Sequence, residues 1–176
     1  MHARAAATAF ILFSTIFAVA FIPLVYAADR QVRFNGGTAT ITSDGDTEHI
    51  VIRRGNGELS GESSCTSDSG HYDEIVAFFQ GFQTKVVTGD KTGVADLMSF
   101  PLRLNRASPA KPKFIASRTA FLKHYDAAIT PAIIASIRNA QPYEVFCRDE
   151  GAMFGFGIAW VHKDEKRRLG VFVVNQ

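Results

Sequence analysis

Three groupings in this sequence place side chains that could do chemistry close together. His124-Tyr125-Asp126 sets an imidazole, a phenol and a carboxylate in consecutive positions. In a pocket, Asp126 could act as a general base and Tyr125 could donate a hydrogen bond to a developing oxyanion. Consecutive residues on a helix point in different directions, so the three cannot all face one substrate. Tyr125 also falls on the apolar face of its helix, where packing alone accounts for it. His124 near a helix C-terminus is favourable with the dipole. The second grouping is Trp160 and His162, which alternate with Phe154 and Phe156. At a period of two these residues share one face of a strand. They read as a ligand-stacking surface, with Trp160, His162 and Phe156 as its candidates, or as core. The third is Arg148-Asp149-Glu150, at a strand end, where a solvated hairpin turn is the simpler reading.

Other chemistry is harder to find. Beyond the N-terminal segment the histidines are His49, His71, His124 and His162, and no two have metal-ligand spacing. No P-loop, GxSxG or Rossmann fingerprint occurs, so neither metal nor organic cofactor is expected. The run 103–113 carries Arg103, Arg106, Lys111 and Lys113 without an acid. It could meet an anionic partner or simply be a solvated loop.

The N-terminus reads as an export signal. Arg4 precedes an uncharged, mostly apolar run to Leu24, and Val25-Tyr26-Ala27 offers the small residues that signal peptidase accepts. Cleavage after residue 27 gives a periplasmic or secreted protein without stable membrane insertion. It takes the formal net charge from +2 to +1, which gives no argument for nucleic acid as a partner. The two cysteines, Cys65 and Cys147, both lie in the exported part, where disulfides persist. A bridge between them would close a loop of about 80 residues, worth about 4 kcal/mol in the chain-entropy model.

These residues need elements to position them. Residues 28–70 are rich in Gly, Thr, Ser and Asp. Val32 with Phe34, Ala39 with Ile41, and Ile50 to Ile52 form short runs between Asn-Gly and Asp-Gly breaks, which predicts a small meander. Residues 55–70 read as a loop. From Tyr72 the period changes: Ile75, Phe78, Phe79, Phe82 and Val86 share one face of a helix that Gly89 stops. Asp90 can cap a short helix carrying Val94, Leu97 and Met98. Ser117 can cap a third helix with Leu122, Tyr125 and Ile129 on one face, and Thr130-Pro131 opens a fourth with Ile133, Ile134 and Ile137. The last third reads as strands at 143–148, 152–162 and 168–174. The glycines on one face of the long middle strand leave room for a close neighbour, a helix or a ligand.

Three runs, Phe100-Pro101-Leu102, Phe121 to Asp126 and Gly151 to Trp160, in this order of elements, resemble exported bacterial proteins of the NTF2-like (cystatin-like) superfamily. The resemblance covers roughly residues 71–176. It implies an α+β fold in which a curved antiparallel sheet packs on N-terminal helices, here preceded by the meander. It also implies that a homodimer can form by face-to-face pairing of sheets. That superfamily holds both enzymes and pure binding modules, so the fold does not choose. The sequence favours a non-enzymatic binding or interaction module whose ligand, protein or small molecule, is unspecified. The alternative is a small pocket enzyme doing proton-transfer or hydrolytic chemistry with Tyr125 and Asp126.

Overall fold

The computed structural model describes residues 29–106 and 110–176; the expected export signal lies outside them. The chain opens with an antiparallel meander, β1 (Arg30–Phe34), β2 (Gly37–Asp44), β3 (Thr47–Arg54) and β4 (Leu59–Thr66), paired in sequence order. Asn35-Gly36 makes the first turn, with Gly36 at a φ of 103° that a side chain would resist. Ala39, Ile41, Ile50 and Ile52 are buried on one face, while Thr38, Thr40 and Thr42 stand on the other. The expected loop at 55–70 is in part this fourth strand. Its Ser, Gly and Glu have little strand preference, but register with β3 and full burial of Cys65 override it.

Helix α1 (Tyr72–Thr88) follows, and Gly89 closes it in the left-handed region. Ile75, Phe79, Phe82 and Val86 are fully buried as the periodicity predicts, while Phe78 is half-buried. Each buried phenylalanine is worth about 1.5–3 kcal/mol of transfer free energy. Both ends of the chain use this helix. The backbone N–H of Tyr72 donates to Glu48 of β3 at 2.6 Å, and Asp73 pairs with Arg30 of β1 at 2.9 Å. From the C-terminal half, Phe154 packs on Phe79 with ring centroids 4.6 Å apart, and Lys163 pairs with Glu74 at 2.7 Å.

Beyond α1 come α2 (Lys91–Asp96), β5 (Met98–Asn105), β6 (Lys113–Ile115), α3 (Arg118–Lys123), α4 (Tyr125–Ala128) and α5 (Pro131–Asn139). Asp90, Ser117 and Thr130 cap α2, α3 and α5 as expected. The expected third helix breaks at His124, whose N–H donates to the carbonyls of Ala120 and Phe121. The break turns Phe121, rather than Leu122, into the fully buried position, where it meets Phe100 and Tyr125. The chain ends with β7 (Phe146–Arg148), β8 (Gly151–Phe154), β9 (Ala159–Lys163) and β10 (Leu169–Asn175). These strands and β5 and β6 form a six-stranded sheet in the order β6-β5-β10-β9-β8-β7. The fold is thus mixed α+β with two sheets. The second sheet is not wholly antiparallel, because β10 runs parallel to β5. The helices between those two strands supply the long crossover that parallel pairing needs. No helix among the described residues is long and apolar enough to cross a membrane.

The long strand expected at 152–162 is a hairpin. Gly155, Phe156 and Gly157 have φ of 58°, 55° and 94°, so the chain reverses there instead of running straight. Phe154 pairs with Ala159 and Met153 with Trp160. Phe154 therefore faces α1, Trp160 faces away from it, and Phe156 sits in the turn, 85% exposed. The single aromatic face read from the alternation does not exist.

The two sheets meet along β4 and β7, but those edges form no ladder. Two bonds close the seam: the Cys65–Cys147 disulfide, with Cα atoms 5.2 Å apart, and a 3.1 Å hydrogen bond from the Cys147 N–H to the Ser63 hydroxyl. Both sulfur-bearing residues are buried. Replacing both cysteines by serine should therefore lower the unfolding free energy by about 2–5 kcal/mol, measured by denaturant titration. An unchanged midpoint would show that the seam holds without the bridge.

Candidate functional site

Strand register assembles one continuous surface on the face of the six-stranded sheet away from α1. Phe114 of β6 lies opposite Arg103 of β5, and Arg103 lies beside Val173 of β10. Val173 lies beside Trp160 of β9, Trp160 beside Met153 of β8, and Met153 beside Phe146 of β7. The aromatic contacts that α1 and α3 make with this sheet go to Phe154 and Phe100 on the opposite face. Phe114 is 61% exposed, and Trp160, Met153 and Phe146 are half-buried.

An irregularity in β10 between Val171 and Val173 adds Phe172 to this face. Its ring stacks on His162 with centroids 4.2 Å apart and planes 16° from parallel. His162 has Gly170 as its cross-strand partner, so no side chain stands between it and Phe172 there. Burial lowers the His162 pKa, with Asp164 opposing it.

Two depressions indent the face. One of about 270 Å³ is lined by Arg103, Asn105, Trp160, Phe172 and Val173. The other, about 590 Å³, runs from Ser64, Thr66 and Asp68 to Asp149, His162 and Lys163. Arg148 and Glu150 line both, so the two adjoin, and together they are referred to as the groove. Arg103 donates to Asn105 at 2.7 Å, and Asn105 donates to Asn175 at 2.7 Å. The Arg148 guanidinium lies over the Phe146 ring at 5.4 Å. Among the described residues Arg148, Asp149 and Glu150 enter no ion pair. The groove thus offers aromatic surface beside charged groups with hydrogen-bonding capacity to spare.

The structure brings Trp160 and His162 onto this surface and separates Phe156 from them. Phe156 borders a neighbouring, mostly apolar cleft of about 230 Å³, which Met153 and Phe146 at the end of the row line together with Ile52 and Val145. Phe172 and Asn105 carry no sequence signal of their own, and Arg103 stands out only as part of the basic run. Arg103 and Asn105 read as loop, and only the irregularity in β10 turns Phe172 outward.

Tyr125 and Asp126 stand elsewhere. The Tyr125 ring is 3% exposed, packs edge-on against Phe121 at 5.6 Å and lies beneath the Lys91 ammonium at 5.1 Å. Burial raises its pKa, and its buried hydroxyl has no hydrogen-bond partner. The Asp126 carboxylate is in water, bonded to Lys91 at 2.7 and 2.9 Å. Neither residue lines any of the cavities described above. Among the described residues no cluster of three His, Cys, Asp or Glu side chains is arranged to hold a metal ion.

Compared with known proteins, the chain matches no family model, no curated protein and no solved structure.

An unpartnered buried hydroxyl is costly, so its removal should help. Tyr125→Phe should raise the unfolding free energy by about 1 kcal/mol, measured by thermal or denaturant unfolding. A loss of stability would mean that the hydroxyl has a partner, such as an ordered water.

Proposed function

We propose that the protein is an exported binding module of the cell envelope, periplasmic or secreted, and that the outer face of its six-stranded sheet is the working surface. The observation that carries this reading is the cross-strand row from Phe114 to Phe146, in which Trp160 is central and uncovered by any described helix. Aromatic side chains set in a row beside unpaired polar groups are costly to leave in water and gain from a ligand. A disulfide between two buried cysteines suits an oxidising compartment, and the apolar N-terminal run suits export. The NTF2-like resemblance is retained as the proposed ancestry of residues 71–176. What supports it is a long helix packed on one face of a six-stranded sheet.

Binding is preferred to catalysis because the pair a small pocket enzyme would use, Tyr125 and Asp126, lines none of the cavities described above.

Co-sedimentation with isolated bacterial envelopes tests the reading. Trp160→Ala/Phe172→Ala should reduce the bound fraction at least tenfold while leaving the far-UV circular dichroism unchanged. Asp126→Asn should bind as the wild type does. Equal binding by the double variant would overturn the proposal.

A further inference from the structure

We infer that the groove on the outer face takes a neutral oligosaccharide chain, an inference that rests on the outer face being the working surface. Three features of the groove select this ligand class. First, its floor is aromatic and approachable, with Trp160 beside the Phe172–His162 stack. The pyranose ring of a sugar presents a flat array of C–H bonds that packs on such a surface, and the electron-rich ring face favours that polarised edge.

Second, the groups around that floor suit vicinal hydroxyls. Arg103, Asn105, Arg148 and Glu150 are planar side chains able to donate or accept in pairs. Arg148 and Glu150 have no ion-pair partner among the described residues, so their hydrogen bonds are free for a ligand. The core of a protein–protein interface is depleted of charged residues, and two guanidiniums and a carboxylate at the groove would be costly to bury against another chain. A polyhydroxylated ligand satisfies the same groups without dehydrating them fully.

Third, the charges cancel. Arg103, Arg148 and Lys163 line the groove together with Asp68, Asp149 and Glu150, so it has no net preference for a polyanion. The groove also continues past Arg148 and Glu150 to Ser64 and Thr66 on β4, so a chain longer than one sugar can lie along it.

The sequence contains one tryptophan, and it lines the smaller depression of the groove, so its fluorescence reports on this site alone. The protein would be titrated with cellotetraose, chitotetraose and maltotetraose, with tetragalacturonate as the anionic control. The expected result is a saturable change in Trp160 emission with at least one neutral tetrasaccharide and an affinity at least tenfold weaker for tetragalacturonate. Arg148→Ala and Glu150→Gln, exposed positions that keep Trp160, should each weaken the neutral ligand at least tenfold. No saturable response to any neutral tetrasaccharide, or a response that both variants retain, would overturn the inference.

Envelope binding separates this failure from that of the broader reading. If Trp160→Ala abolishes envelope binding and protease treatment of the envelopes does so too, the ligand is a protein: the glycan inference falls and the outer face stands. If Trp160→Ala binds envelopes as the wild type does, both fall.

Discussion

Two sheets share this molecule, and they touch along edges that do not pair. β4 ends one sheet and β7 ends the other, and between them there is one disulfide and one hydrogen bond to Ser63 in place of a ladder. Holding that seam is the constraint on which the rest depends, because α1 is buried only while both walls are in place. The meander covers the N-terminal part of α1 through Glu48 and Arg30, while the second sheet covers it through Phe154 and Lys163. Were the seam to open, Tyr72, Phe79 and Phe82 would lose burial together, and each is fully buried. A covalent bond suits such a place, since it acts whether or not the local backbone can find partners.

The seam also shapes the outer surface. Ser64 and Thr66 on β4 continue the surface that Arg148 and His162 begin, and the larger depression straddles the junction. The groove thus needs both sheets, and the meander is part of the site rather than an appendage to it. The turn 67–69 is fixed to the β9–β10 turn by the Arg167–Asp68 pair at 2.6 Å and by the Lys163 N–H to the Asp68 carbonyl. Exposed ion pairs are worth about 0–1 kcal/mol each, so these contacts position the turn more than they stabilise the fold.

Much of this was legible in the sequence where local signals and tertiary packing agree. The helical period of Ile75, Phe79, Phe82 and Val86, the caps at Asp90, Ser117 and Thr130, and the Cys65–Cys147 pairing are all found. The misreadings share a cause, which is that period-two patterns do not distinguish a strand from a glycine-rich turn. Gly155-Phe156-Gly157 alternates small and large residues as a strand would, yet left-handed backbone at all three reverses the chain. Phe154 and Trp160 then exchange from one imagined face to two real ones. β4 shows the opposite error, a polar, glycine-bearing segment held extended by its neighbour. The site was legible in Trp160 and His162, in Arg148-Asp149-Glu150, which read more simply as a solvated turn, and in Arg103 as part of a basic run. Its flanking groups come from β5 and β10, distant in sequence and brought to the same row by parallel pairing and an irregularity that no local pattern announces.

The account stands on which face of the second sheet engages the outside world, and site-specific photocrosslinking in the cells that make the protein tests it most directly. A photoreactive phenylalanine analogue would be placed at Phe114 on the outer face or at Ser64 or Thr66 on the β4 border of its groove, and at Lys123, Asp126 or Arg138 on the helical side. All six positions are exposed, so substitution there leaves the core intact. The account predicts adducts from the first three positions and none from the second three. Adducts confined to Lys123, Asp126 and Arg138 would contradict it, and would move the functional surface to the helices around Tyr125.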